Sequence, residues 1–102
     1  MENQNIELLN ITPNAFQIYT ETTRGNSGIS MLEARKKLTR NVLLSVRSRE
    51  TKSGNVWYLY GRLYILVRNN TVIHVSNHNR TPDEWEEDYN RKQELNKILG
   101  LI

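Results

Sequence analysis

The sequence predicts an α+β fold in which N-terminal helices lead into a four-stranded antiparallel β-meander and a C-terminal helix closes the chain. Three features predict this arrangement. Residues 56–76 are rich in aromatic and β-branched side chains and are divided by two tight-turn sequences. Helix-start signals precede this region, and an amphipathic helical pattern follows it. The chain has 102 residues, so residues 1–102 are expected to form a single domain.

The first predicted elements are an edge strand and a helix. Residues 6–11 form a short apolar run typical of an edge strand. Thr12 followed by Pro13 marks a helix start with proline at the first helical position. This pattern predicts a helix over 13–22.

A second helix and the first strand of the meander come next. Ser30 and Glu33 match a capping box, and the apolar residues after them have helical spacing. This pattern predicts a helix over 31–40. Apolar residues at every second position then predict a strand over 42–47.

Two turn sequences divide the rest of the meander into three strands. Gly61 suits the first position of a two-residue turn, and the asparagine pair at 69–70 suits a turn with positive φ at both positions. Regular pairing away from these turns aligns Tyr58 with Ile65, and Ile65 with His74. Because side chains alternate between faces, Tyr58 and His74 are expected on the same face, about 10 Å apart.

The alternation also predicts which face of the sheet forms the core. The predicted core face consists of Trp57, Leu59, Tyr64, Leu66, Ile73 and Val75. The opposite face includes Tyr58 and Tyr60, whose rings would either stack on nucleic-acid bases or be covered by the N-terminal helices. The pattern leaves both alternatives open.

The last predicted element is a helix that starts at Thr81 and Pro82. Thr81 suits the N-cap, Pro82 suits the first helical position, and acidic residues crowd the first turns. Gly100 suits the position just after the helix. One face of this helix is expected to pack on the sheet or on a second subunit. Its members are Trp85, Tyr89, Leu95 and Leu99.

Positive charge is concentrated in the middle of the chain. The net charge is +3, yet residues 24–62 contain nine basic residues and two acidic ones. Such a segment favours a polyanionic partner, although a solvated helix face has the same composition. The residues predicted to contact nucleic acid are Arg35, Lys36, Lys37, Arg40, Arg47, Arg49, Arg62 and Tyr60.

The composition disfavours several classes of site. The chain has no cysteine, which excludes disulfides and thiolate ligands. His74 and His78 are the only histidines, and no acidic residue lies within four residues of either, so no metal site and no cofactor is expected. No apolar stretch approaches the length needed to span a membrane, which predicts a cytoplasmic protein without a membrane partner.

The meander also carries a resemblance to a known group of enzymes. Residues 57–61, Trp-Tyr-Leu-Tyr-Gly, and residues 72–75, Val-Ile-His-Val, lie in a basic and aromatic meander. This arrangement resembles the small microbial ribonuclease toxins of the RelE and colicin type and covers about half of the chain. The resemblance implies metal-independent RNA cleavage by side chains on the sheet. The matching positions are Arg47, Arg49, Tyr58, Arg62 and His74.

Under this resemblance, the catalytic candidates are His74, Tyr58 and Arg49. His74 or Tyr58 would move the proton, and Arg49 would hold the scissile phosphate.

Three functions are therefore weighed. The favoured one is a small binding module with a basic central segment, a regulator of phage or plasmid type whose partner is RNA, another nucleic acid or a protein. The alternative is a metal-independent ribonuclease of toxin type. The third is a self-associating structural protein, which would form a homodimer through a sheet edge or the C-terminal helix.

Overall fold

The computed structural model describes residues 6–23 and 25–101, which form an α+β fold, as predicted. In chain order the elements are β1 (Asn10–Ile11), α1 (Pro13–Thr22), α2 (Met31–Leu44), β2 (Val46–Glu50), β3 (Val56–Tyr60), β4 (Leu63–Arg68), β5 (Thr71–Asn77) and α3 (Tyr89–Leu99). The sheet order is β1-β5-β4-β3-β2. Strands β2 to β5 form the predicted antiparallel meander, and β1 adds a fifth strand parallel to β5, so the sheet is mixed.

Helix α1 occupies the predicted residues because its first turn is capped as the sequence indicates. Thr12 Oγ1 accepts a hydrogen bond from the backbone N–H of Ala15 at 3.1 Å, and Pro13 opens the helix. The strand before it is shorter than the apolar run at 6–11, since only the two residues of β1 pair with β5.

Helix α2 continues to Leu44, so the strand predicted over 42–47 is wrong at its start. Val42 lies four residues after Leu38 and packs against the same core, and this helical burial outweighs the two-residue alternation of the segment. Ser45 ends the helix, because its backbone N–H and its hydroxyl both donate to the Val42 carbonyl, at 3.2 and 2.7 Å.

The two predicted turns are confirmed. Gly61 has a φ of +57°, and Asn69 and Asn70 have φ values of +49° and +64°. Asparagine tolerates this left-handed region better than most residues, which suits a two-residue hairpin turn. The pairing of Tyr58 with Ile65 across β3 and β4 is also confirmed.

The register between β4 and β5 shifts by one residue at a β-bulge. Residues 66–67 of β4 pair with His74 and Val72, so Ile73 is an extra residue in β5. The bulge allows Val72 and Val75 to face the same side, where both are fully buried. A regular strand cannot place residues three apart on one face, because its side chains alternate with a period of two.

The helices cover the sheet face opposite to the predicted core face, so that assignment is wrong for most of its residues. Val75 is buried as predicted, because the bulge turns it towards the helices, and Leu59 is buried with 9% exposure on the other side of the sheet. The buried residues of β4 and β5 are Leu63, Ile65, Val67, Val72 and Val75, and they pack with Ala15, Tyr19, Ala34 and Leu38 of α1 and α2. The fully buried alanines let both helices approach these branched side chains closely. Tyr58 and Tyr60 are partly buried and pack against the same core. Of the two predicted alternatives, the helices therefore cover this face of the sheet.

The other side of the sheet faces away from α1 and α2. We call it the open face. Its residues are Trp57, Leu59, Tyr64, Leu66, His74 and Ser76.

Helix α3 begins at Tyr89, later than predicted. Asp88 caps it, since its carboxylate accepts from the backbone N–H of Arg91 at 3.0 Å. The segment from Pro82 instead makes a turn, in which the backbone N–H of Trp85 donates to the Pro82 carbonyl at 3.1 Å. The Trp85 ring then packs on the turn between β3 and β4 rather than on a helix face.

The predicted packing face of the C-terminal helix is confirmed in part. Leu95 and Leu99 are buried, and α3 packs on α2 rather than on the sheet. Tyr89 is 63% exposed, so it does not pack on the sheet, and its packing on a second subunit stays a prediction. Gly100 ends the helix with a φ of +74°, as predicted.

The bulge predicts that Val72 and Val75 contribute equally to the free energy of unfolding. Val72→Ala and Val75→Ala should each lower the free energy of unfolding by about 2 kcal/mol, from two buried methyl groups and the cavity they leave. Urea unfolding measures both values. A cost below about 0.5 kcal/mol for Val75→Ala would contradict the bulge, because one of two valines three apart is exposed in a regular strand.

Candidate anion-binding groove

A groove of 470 Å³ lies on the helix side of the sheet, at the end where β3 turns into β4. Helix α2 contributes Lys37 and Arg40, which lie three residues apart and so share one helix face. The β3–β4 turn contributes Arg62, and α3 contributes Lys92. We call this site the basic groove. It is defined by Lys37, Arg40, Tyr60, Arg62, Trp85 and Lys92.

Neutral side chains hold two of the cations in place. Arg40 donates from Nε to Asn41 Oδ1 and from Nη1 to Asn96 Oδ1, both at 3.0 Å. Lys37 Nζ donates to Asn26 Oδ1 at 2.8 Å. Asn26 and Asn41 are each only 3% exposed. Amide oxygens orient a cation without cancelling its charge, so these bonds leave the positive charge available to an anion.

Cations outnumber carboxylates in the basic groove. Four basic residues line it, and Glu87 is the acidic residue among its described lining. Glu33 lies outside the groove, with its carboxylate 3.6 Å from Lys37 Nζ in a partly exposed pair. Such pairs are weak and are screened by salt. Even with both carboxylates counted, the formal charge is +2.

Two aromatic rings form the apolar wall of the basic groove. The rings of Tyr60 and Trp85 meet edge to face, with centroids 5.3 Å apart and an interplanar angle of 74°. Lys92 Nζ lies 5.7 Å from the centre of the Tyr60 ring, within the range of a cation–π contact. The indole packs beside Gly61, where a Cβ would lie 4.0 Å from the Trp85 ring, an ordinary van der Waals contact.

Tyr19 lies at the buried side of the basic groove and is 2% exposed. Burial raises the pKa of its hydroxyl, because the phenolate would be poorly solvated there. Hydrogen bonding to Asn26 and the charge of Arg40 act in the opposite direction but are smaller. The Tyr19 hydroxyl is therefore neutral near pH 7 and able to donate a hydrogen bond.

Half of the residues predicted to contact nucleic acid meet in this one place. Lys37 and Arg40 of α2, Tyr60 of β3 and Arg62 of the β3–β4 turn line the same groove. From the sequence alone, only Lys37 and Arg40 can be placed close together, because they lie three residues apart on one helix.

The remaining predicted binding residues lie elsewhere. Arg35 donates to the Leu9 carbonyl at 2.9 Å and so holds the segment before α1 against α2. Lys36 lies beside Gly100 at the end of α3. Arg47 pairs with Glu50 on the exposed edge strand at 3.5 Å. Arg49 lines a second groove, on the open face.

The catalytic candidates do not share one face. Tyr58 lies on the helix side and lines a 580 Å³ cavity bounded by Val42 and Val67. The β5 bulge turns His74 to the open face, where its ring centre is 6.4 Å from that of Trp57. The prediction that Tyr58 and His74 share a face is therefore wrong, since it assumed regular pairing. Their catalytic roles, with that of Arg49, stay predictions.

Sequence reasoning missed several residues of the basic groove. Asn26, Asn41 and Tyr19 carry no local signal, because the loop before α2 and the packing of α1 on the sheet bring them together. The sequence predicts Trp85 on the packing face of a single long helix and does not include Lys92 among the binding residues. The one available signal was that Trp85 is an aromatic residue within an otherwise acidic segment.

Residues 9–98 match the YorE family. The chain belongs to the YorE family. This is a family of small phage-type proteins, and the match gives no support to the resemblance to RelE-type and colicin-type ribonucleases. No curated protein and no solved structure matches the chain.

Two further structural findings bear on this YorE-family chain. Within the described residues, no three His, Cys, Asp or Glu side chains are placed so as to hold a metal ion. None of the helices in the described chain is long and apolar enough to cross a membrane.

The burial of Tyr19 predicts alkaline destabilisation. Below about pH 10 the hydroxyl is protonated in both the folded and the unfolded chain, and its contribution to stability is fully present. As the pH rises above that value, the unfolded chain ionises first, so the free energy of unfolding falls until the raised folded-state pKa is passed.

Phenolate absorbance measures this directly. The Tyr19 hydroxyl should ionise above the ordinary pKa of tyrosine, and Tyr19→Phe should remove this final step of the titration. The exposed Tyr89 supplies the matched control, since Tyr89→Phe should leave that final step in place. An unchanged final step in the Tyr19→Phe variant would contradict the assignment.

Proposed function

We propose that this protein is a small nucleic-acid-binding module, a regulator of phage or plasmid type, which holds a phosphate backbone in the basic groove. The observation that carries the proposal is the convergence of Lys37, Arg40, Arg62 and Lys92 from three separate parts of the chain. A cluster assembled across elements differs from a solvated helix face, whose charges lie along one helix and point to water.

The hydrogen bonds inside the basic groove support this function. The Arg40 guanidinium is held by two amide oxygens at 3.0 Å, so little side-chain freedom is lost when an anion arrives. Arginine offers several N–H donors in one plane, which suits phosphate oxygens. Phosphate contacts of this kind supply most of the affinity of nucleic-acid binding proteins.

Binding is favoured over cleavage because the three catalytic candidates do not converge. Tyr58 lies under the helices, whereas His74 and Arg49 belong to the open face. General acid–base chemistry needs its groups within hydrogen-bond reach of one reacting atom. A side chain on each side of a sheet does not meet that condition.

The sheet edges offer little support for self-association. Strand β1 has only two residues. Strand β2 carries Arg47, Arg49 and Glu50 and contains a register shift between Arg47 and Glu50. Short, charged and bulged edges are the features that prevent edge-to-edge pairing.

Salt dependence tests the proposal with two neighbouring residues of α3. Lys92 lines the basic groove, whereas Arg91 is exposed and pairs with Glu94 at 2.7 Å. Lys92→Gln should weaken nucleic-acid binding and reduce the slope of log K against log salt by about 1, because one phosphate contact is lost. Arg91→Gln removes the same charge and should leave both quantities nearly unchanged.

Fluorescence anisotropy with a labelled oligonucleotide, measured over a range of salt concentrations, gives both quantities. Equal effects of the two substitutions would mean that only overall charge matters, and the basic groove would lose its role. An absence of binding at low salt would refute the proposal and leave a protein as the expected partner.

A further inference from the structure

The open face carries a connected set of aromatic rings. Trp57 meets Tyr64 and His74 edge to face, each with a centroid distance of 6.4 Å. Tyr64 also stacks on His78, with centroids 3.7 Å apart and planes inclined by 30°. These rings come from β3, β4, β5 and the residue just after β5, so the sheet itself sets their spacing.

Polar groups border this aromatic set. A second groove, of 460 Å³, is lined by Arg49, Trp57, Tyr64, Ser76 and His78 together with Ser48 and Leu59. His78 is held in place by a 3.0 Å hydrogen bond between its Nε2 and Ser76 Oγ. Arg49 is exposed and lies on the edge strand, where its guanidinium is available to a phosphate.

A small pocket shares one lining residue with the basic groove and another with the groove on the open face. In the segment after β5, Thr81 lines the basic groove. Arg80, Thr81 and Asp83 of this segment also line the small pocket, together with Tyr64 of β4. Tyr64 in turn belongs to the groove on the open face. Thr81 is shared by the basic groove and the small pocket, and Tyr64 by the small pocket and the groove on the open face. These two residues mark a path around the β3–β4 end of the sheet. Arg80 adds a cation to this path, and Asp83 adds an acidic group.

We infer that the nucleic acid is single-stranded and that its bases stack on the open face while its backbone continues into the basic groove. The inference rests on the proposed function and specifies its partner. Trp57 and the exposed His78 ring, which is stacked on Tyr64, offer rings to the bases, and Arg49 and Arg80 neutralise the phosphates between them. A base placed on the outer side of the exposed His78 ring would extend the existing stack.

The shape of the path selects against a duplex. The basic groove and the open face lie on opposite sides of the sheet, so a ligand that reaches both must turn around the β3–β4 end. A duplex is stiff over about 150 base pairs and keeps its bases paired inside. A single strand bends freely and exposes its bases, which is the form that aromatic sheet surfaces bind.

Three probes of equal length test the inference by fluorescence anisotropy. They are a mixed-sequence single strand of about eight nucleotides, the same strand made of abasic sites, and the corresponding duplex, which carries about twice as many phosphates. The base-bearing single strand should bind about tenfold more tightly than the abasic strand, because at least one base stacks on an aromatic ring. Trp57→Leu should abolish this difference and leave the affinity for the abasic strand unchanged.

Two further variants separate the inference from the function on which it rests. Tyr89→Leu removes an exposed aromatic ring outside both grooves and should have no effect on any probe. Tyr64→Leu repeats the test of the open face should Trp57→Leu fail to fold, as judged by circular dichroism. Lys92→Gln should weaken all binding, whether or not the probe carries bases.

The outcomes are distinct. Equal affinities for the three probes, with a loss of affinity in Lys92→Gln, would overturn the inference and retain the nucleic-acid-binding function. Binding of none of the probes at low salt would overturn both. Tighter binding of the duplex than of the single strand would also overturn the inference.

Discussion

The single extra residue in β5 determines which side chains the helices cover. Ile73 has no partner in β4, and the pairing beyond it is displaced by one residue. Val72 and Val75 consequently face α1 and α2 together, where both are fully buried, and His74 turns to the opposite side. Strand β1 pairs with Thr71 and Val72, just before the bulge, so the short parallel strand ends where the register changes. The aromatic set of the open face depends on this displacement, because the displacement brings His74 to Trp57.

Asparagine amides then organise the helix side of the molecule. Asn26 belongs to the loop between the first two helices, Asn41 to α2, and Asn96 to α3. Through Lys37 and Arg40, these amides connect three elements around the basic groove. Burying polar groups costs free energy unless they are hydrogen-bonded. The buried amides of Asn26 and Asn41 and the half-buried amide of Asn96 each have a cationic partner at 3.0 Å or less. The same bonds that stabilise the helix packing therefore keep two cations oriented towards the groove.

Local signals in the sequence predicted the elements whose causes are local. Thr12 and Ser30 cap their helices as expected, and Gly61 and the asparagines at 69–70 form the expected turns. The same reasoning failed where tertiary packing competes with a local pattern. Val42 continues α2 because it packs with the core, although its alternation with nearby residues is typical of a strand.

The candidate sites were predictable in composition but not in arrangement. Basic residues of the middle segment identified Lys37, Arg40 and Arg62, yet only the folded chain brings Lys92 and Trp85 to them. A bulge leaves no clear mark in sequence, because valine, isoleucine and histidine at 72–75 fit a regular strand equally well. Because the extra residue Ile73 is not detectable in the sequence, regular pairing predicts Tyr58 and His74 on the same face.

Proton–proton contacts between aromatic rings test the position of His74 most directly. In a nuclear Overhauser spectrum of the protein, the His74 ring protons should give cross-peaks to the Trp57 indole, since the two ring centres are 6.4 Å apart and meet edge to face. They should give none to the Tyr58 ring, which lies on the helix side of the sheet. Cross-peaks from His74 to the core-facing residues Ile65 or Tyr58, with none to Trp57, would show regular pairing in β5 and contradict the account.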